Sequence, residues 1–227
     1  MNGIFITGTD TNVGKTWVGK ELIKLLCTRG INVTPRKPIE SGWTEHEITQ
    51  TDAWILANAA NKTETLSKVC PHRFKTPVSP DRAAKYEGIS LKLETLRQNC
   101  IANIDTQSFL FVEGAGGFYS PLCSDALNAD LMTALNLPII LVAEDKLGCI
   151  NHVLLTIEAI KRKKLSLLAI VLNKINNCEN NSESTHKNKL MDNHADLTKL
   201  TNHPIISVAY NKDNNKAFNN LCNLCIK

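Results

Sequence analysis

The 227-residue sequence predicts an α/β fold, a mainly parallel sheet with helices on both faces. Three observations carry this reading. Six or seven apolar runs of strand length recur, each followed by a helical pattern or a loop. Two of them, Pro138 to Ala143, unbroken in apolar character, and Leu165 to Leu172, read as strands buried on both faces. Near the N-terminus, a strand, a glycine loop and a helix follow one another directly.

That first unit sets the function to be tested. Gly3-Ile4-Phe5-Ile6-Thr7 reads as a strand and Trp17 to Cys27 as a helix. Between them lies Gly8-Thr9-Asp10-Thr11-Asn12-Val13-Gly14-Lys15-Thr16. Such a loop turns backbone N–H groups inward, and the helix start adds free N–H groups and a positive dipole end. Lys15 can reach β- and γ-phosphates, and the Thr16 hydroxyl can ligate Mg²⁺. The expected fold is therefore P-loop NTPase-like, with a loop one residue longer than the usual signature. The plain alternative is an ordinary strand–turn–helix with a surface lysine.

A second strand, Ile31 to Thr34, is expected to end at Pro35 and Pro38. The segment after it carries Lys37, Ser41 and Gly42. In a parallel sheet, ligands gather beyond the C-terminal strand ends, which sets Lys37 and Ser41 beside the phosphate loop. Asp52 opens a helix, Ala53 to Ala60. It fits an N-terminal cap, the reading favoured by local sequence, or a carboxylate aimed at Mg²⁺. Residues 61–88 read as irregular, and 76–80 either as a pocket wall or as a plain connection. A helix follows around Leu91 to Ile101.

Phe109 to Val112 forms an apolar strand ending at Glu113, where a nucleotide-binding sheet needs a metal-holding acid. Gly114-Ala115-Gly116-Gly117 then lets a ligand approach the backbone. A short helix, Asn128 to Asn136, precedes the strand at 138–143. Gly148-Cys149-Ile150-Asn151 opens another helix. The strand at 165–172 ends at Asn173. A polar loop at 176–184, a helix around His186 to Leu200, a strand Pro204 to Val208 and a terminal helix complete the pattern.

Composition narrows the class. Hydrophobic residues make up 43% and charged residues 21%, as in globular proteins, and one domain over 1–227 is expected. A net charge of +4 suits small anionic ligands rather than nucleic acid. No apolar run approaches the roughly 18 residues of a membrane span, and the first strand begins without a signal-peptide core. A cytoplasmic protein with reduced cysteines is expected. Cys222 and Cys225 read as two small apolar positions on the terminal helix. The six histidines show no metal-ligand spacing.

Four stretches taken together resemble the dethiobiotin synthetases, ATP-dependent enzymes of biotin synthesis. They are the loop Gly8 to Thr16, Lys37-Pro38-x-x-Ser41-Gly42, Val112 to Gly117, and Lys146 to His152. The resemblance runs in order to about residue 173 and weakens beyond it. It implies 7,8-diaminononanoate, CO₂ and MgATP as reactants, with a carbamate and then a carbamic–phosphoric anhydride as intermediates. Lys37, Lys15, Thr11 and Ser41 would form the catalytic set. Gly8, Asn12, Val13, Gly14, Lys15, Thr16, Glu113, Gly116 and Asn173 would hold the nucleotide, with Asn173 at adenine. Thr16, Asp52 and Glu113 would surround Mg²⁺. Ser41, Gly116, Gly117, Gly148, Cys149 and Asn151 would bind substrate, the last three across a homodimer interface. Asn12 departs from the family, where Glu is common.

Two other functions fit a phosphate loop. One is an amide-forming synthetase of the same fold, many of which carry a glutamine-hydrolysing domain for which this chain is too short. The other is a nucleotide-dependent switch of the partition or septum-positioning type. Those usually carry an extra lysine early in the loop, where this chain has Thr9-Asp10-Thr11.

Overall fold

The computed structural model describes residues 2–175 and 191–226. The elements run β1 (Gly3–Gly8), α1 (Lys15–Thr28), β2 (Val33–Arg36), β3 (Ile39–Ser41), α2 (Asp52–Ala59), α3 (Leu66–Val69) and β4 (His72–Phe74). They continue α4 (Pro80–Tyr86), α5 (Leu93–Ile101), β5 (Phe109–Gly117), β6 (Pro121–Cys123), β7 (Ala126–Leu127) and α6 (Asn128–Leu135). The last are β8 (Ile139–Glu144), α7 (Cys149–Arg162), β9 (Leu167–Lys174), α8 (Asn193–Leu200), β10 (Ile205–Ala209) and α9 (Asn215–Cys225). The sequence-predicted loop at 176–184 and the start of the helix expected from His186 lie outside the described residues.

Six strands form one parallel sheet in the order β10-β9-β8-β1-β5-β2. Side chains alternate across each strand, so every apolar strand feeds two cores. In β1, Ile4 and Ile6 join Val18, Leu22 and Leu26 of α1 and Leu221 of α9 on one face. Phe5 joins Leu96 of α5, Met132 of α6 and Val153 of α7 on the other. Both faces are thereby covered, as a parallel sheet requires. Among the described residues, no helix is long and apolar enough to cross a membrane. Cys222 and Cys225 pack in the α9 core face, as the apolar reading of the CxxC expects.

Three expectations need correction. β2 does not stop at Thr34 but runs through Pro35 to Arg36, with Pro35 in register with Phe111. β2 is the edge of the sheet, and an edge strand tolerates the missing N–H of proline. β5 does not end at Glu113. It continues through the glycines to Gly117, which pairs with Gly8 after a break in register. A side chain at Gly117 would press on the Thr9 carbonyl at 3.1 Å, so glycine eases the close approach of β5 to the phosphate loop. Finally, residues 61–88 are not wholly irregular. They hold α3, β4 and α4, and β4 pairs with β3 directly after Lys37.

Candidate active site

The phosphate loop leaves the C-terminal end of the central strand β1 and enters α1. Two residues take left-handed backbone to make the turn, Asn12 at φ 58° and Gly14 at φ 90°. Asparagine tolerates that region better than other side chains. The first turn of α1 has no side-chain cap and no acidic residue. Its unpaired N–H groups are left for an anion. A cavity of about 430 Å³ lies over it, lined by Thr11, Asn12, Gly14, Lys15, Thr16, Lys37, Glu40, Ser41, Asp52, Ala115 and Gly116.

Segments far apart in sequence meet at one cluster beside that loop. The Lys37 ammonium donates to Asp52 Oδ2 at 2.7 Å and to Glu113 Oε1 at 2.6 Å. Thr16 Oγ1 lies 2.7 Å from Asp52 Oδ1 and 2.8 Å from Glu113 Oε1. Lys37 is 3% exposed and Glu113 fully buried, while the Asp52 side chain stays 40% open to the cavity. Lys37 is thus a buried, doubly paired cation rather than a solvated loop lysine. The cap reading of Asp52 also fails. Thr51 caps α2 by accepting from the Trp54 N–H at 3.3 Å, which leaves the Asp52 carboxylate free to face Thr16 and Lys37.

Charge and burial compete in this cluster. Burial acts to lower the Lys37 pKa, but Asp52 and Glu113 outweigh it and hold the ammonium above the ordinary lysine value. Burial pushes Glu113 up despite Lys37, with Asp52 adding repulsion. Burial also acts to raise Asp52, but Lys37 and the Thr16 hydroxyl draw it below the usual carboxylate range. Lys15, 7% exposed and donating to the Asp10 carbonyl at 3.1 Å, is lowered to about 8 by burial and by Lys37.

The donor set fits Mg²⁺. With both carboxylates ionised, Thr16 brings one proton to two carboxylate oxygens, so one close oxygen–oxygen contact has no hydrogen to bridge it. Glu113 Oε2 is buried without a partner among the described residues. Hard oxygen donors in excess of protons are the environment this ion takes.

The other expected residues divide by position. Gly8 and Val13 lie within the loop beneath its lining. Asn173, 3% exposed, sits behind Gly14 and donates to the Val13 carbonyl at 3.0 Å. Gly117 faces a neighbouring groove of about 600 Å³ that also takes in Thr9, Asp10, Tyr119 and Leu155. Gly148, Cys149 and Asn151 do not line the main cavity. Cys149 is buried at the start of α7, with its N–H on the Lys146 carbonyl, and Asn151 is exposed. Nor does 76–80 wall the cavity; Pro77 packs over Gly42, and Pro80 begins α4.

Sequence reasoning missed two residues. Glu40 lines the cavity and accepts from the N–H groups of Asp52 and Ala53 at 2.8 and 2.9 Å. Its carboxyl is raised to about 7 by burial, with Asp52 adding to the shift and Lys37 opposing it. Asn128, fully buried, donates to the carbonyls of Ala115 and Gly117 and so holds the glycine run in place. Glu40 had one available signal, a charged residue inside Lys37-Pro38-x-x-Ser41. Asn128 looked like any helix-start residue.

A parallel sheet whose central strand opens into a glycine loop, with lysine and threonine at the helix start, defines a P-loop nucleotide-binding protein. A family model described as "AAA domain" matches residues 2–216. A protein of Vesicomyosocius okutanii named ATP-dependent dethiobiotin synthetase BioD is 38% identical over 220 residues, covering 96% of this chain and 94% of that one. Another of that name, from Anaeromyxobacter dehalogenans, is 39% identical over 174 residues, covering 77% of each. The chain belongs to the dethiobiotin synthetase family.

Proposed function

We propose that the chain carries out ATP-dependent carboxylation and ring closure of 7,8-diaminononanoate to dethiobiotin, in biotin synthesis. The observation that carries the chemistry is Lys37 set against Asp52 and Glu113 at the mouth of the phosphate loop. One amine of the substrate adds CO₂ and loses a proton, giving a carbamate. A carbamate oxygen attacks the γ-phosphorus, and ADP leaves. The second amine then attacks the carbonyl carbon of the mixed anhydride, expels phosphate and closes the five-membered urea.

Phosphoryl transfer asks for alignment and charge neutralisation. Lys15 and the loop N–H groups hold the β- and γ-phosphates. Lys37 bridges carbamate and γ-phosphate as negative charge moves between them. Thr11 and Ser41 donate to the transferring group. Thr16, Asp52 and Glu113 would hold Mg²⁺, whose charge neutralises the phosphate oxygens. Asn173, close behind the loop, would contact adenine. The nucleotide leaves phosphate-loop geometry common to many enzymes, so the diamine is the distinguishing reactant.

We further propose a homodimer in which Gly148, Cys149 and Asn151 serve the substrate carboxylate in the partner's cavity. Exposed apolar side chains at Leu147, just before α7, and at Leu155 on it, which shares a groove with Tyr119, support this reading. Sedimentation at micromolar concentration tests it; a monomer would refute it.

The deciding measurement for the reaction is phosphate release from MgATP with and without 7,8-diaminononanoate and bicarbonate, with mass detection of product. Release that needs both, and a product heavier by CO₂ less water, is expected. Release indifferent to the diamine would favour the switch or another synthetase.

A further inference from the structure

We propose that Glu40 is a positioning residue. It fixes the first turn of α2, keeps the Asp52 carboxylate aimed at Thr16 and Lys37, and so sets the affinity of the site for its divalent metal. The proposal rests on the reading above for the role of Asp52 at the metal.

The first N–H groups of a helix have no partners inside it. In α2 the first two, on Asp52 and Ala53, both end on the Glu40 carboxylate, one on each oxygen. Thr51 serves only the third, on Trp54, at the longer distance of 3.3 Å. A carboxylate at this end also complements the positive end of the helix. Asp52 is thus clamped twice. Its backbone is held by Glu40, and its side chain by Thr16 and Lys37.

Ala53 packs this helix start into a small cluster with Trp43, Val69 and Cys70, but among the described residues the hydrogen bonds to its first two N–H groups come from Glu40. The turn that leads into the helix, Glu45–Gln50, buries none of its residues. Glu40 itself is anchored: it is 8% exposed and lies in β3, whose neighbours Ile39 and Ser41 pair with β4. The same short segment carries Lys37 and Ser41 into the cavity. Asp52 therefore takes its position from the segment that delivers the lysine it faces. Groups that hold a metal ligand in place typically change metal affinity by about 10- to 100-fold when removed.

The test uses Mn²⁺ as the probe, with the full-length protein saturated with ADP and free Mn²⁺ read by electron paramagnetic resonance. Glu40→Gln keeps the size of the side chain but turns one acceptor into an N–H donor facing a backbone N–H. Mn²⁺ affinity is expected to fall about tenfold or more. In an Asp52→Asn background the same change should have little further effect, because the two act through one carboxylate. Ala59→Gly, at the far end of α2, weakens the helix away from Asp52 and should lower the melting temperature while leaving Mn²⁺ affinity within about twofold.

Unchanged Mn²⁺ affinity in Glu40→Gln, or an equal loss in the Asp52→Asn background, overturns the proposal. So does a wild-type chain that binds no Mn²⁺. Should Glu40→Gln not fold, amide exchange on the wild-type chain decides. Slow exchange at Asp52 and Ala53 is expected, and exchange at the rate of open amides refutes the clamp. No diamine enters these measurements, so a failed phosphate-release assay would refute the synthetase reading without touching this result.

Discussion

The Lys37 ammonium lies 2.6 Å from Glu113 Oε1, and both side chains are closed to solvent. Removing one partner of such a pair leaves the other as an uncompensated buried charge, at a cost of roughly 3–5 kcal/mol. Glu113, already raised by burial, would escape part of that cost by taking up a proton. Lys37→Ala should therefore be less stable than wild type, and more so at pH 8 than at pH 6, because the carboxyl stays neutral more readily at the lower pH. Turnover should drop by about two orders of magnitude or more, the scale of lost electrostatic stabilisation. Melting curves at the two pH values and steady-state phosphate release check both parts. Near-normal turnover would remove Lys37 from the mechanism.

Glu113→Gln tests the metal site from its buried side. The change keeps the shape but removes the charge and leaves an amide among oxygen acceptors. The Mg²⁺ concentration giving half-maximal rate should rise about tenfold or more, since even groups behind a metal ligand have effects of that size. The rate at saturating Mg²⁺ should fall less steeply than in Lys37→Ala. An unchanged Mg²⁺ titration would count against Glu113 as a ligand.

Much of this site was legible because its chemistry needs particular residues next to particular elements. Lys15 and Thr16 had to follow a glycine turn and start a helix. Glu113 stood at the end of an apolar run. What local sequence could not supply was partnership. Whether Asp52 capped its helix or faced Thr16 and Lys37 depended on Thr51 and on Glu40, twelve residues earlier. The extension of β2 through Pro35 depended on its place at the sheet edge, a property of strand order. The continuation of β5 through its glycines depended on Asn128, whose amide satisfies the carbonyls of that run from another element. Local pattern names the groups; tertiary pairing decides which of their alternative bonds they make.

Lys15 makes a pH signature. Burial and the nearby Lys37 hold it at about 8, against an ordinary value of 10.5. Below about pH 8 both folded and unfolded chains are protonated there, and the cost of the buried charge is fully present. Between about 8 and 10.5 the unfolded chain holds a proton that the folded chain lacks, so stability rises with pH. Lys15→Met removes this effect. Without nucleotide and in chelator, the variant should gain most over wild type near pH 7, and the gap should narrow toward pH 10. A gap independent of pH would place Lys15 at an ordinary lysine value.

Gly14 meets two constraints at once, and a pair of variants separates them. Its φ of 90° disfavours any side chain, at roughly 1–3 kcal/mol for a residue held in such a region. A β-carbon there would also overlap Asn173 Nδ2, displacing the amide that donates to the Val13 carbonyl. Gly14→Ala should lower the melting temperature and weaken ADP binding about tenfold or more, as loop and helix start lose their alignment. Adding Asn173→Ala relieves the overlap but not the backbone strain. The double variant should therefore recover part of the stability of the single one while remaining below wild type. Its affinity for ADP should stay low, because the strained turn persists and the amide that holds the Val13 carbonyl is gone. If Gly14→Ala binds ADP as wild type does, the loop tolerates a conformation other than the one described, and the phosphate site does not depend on this glycine.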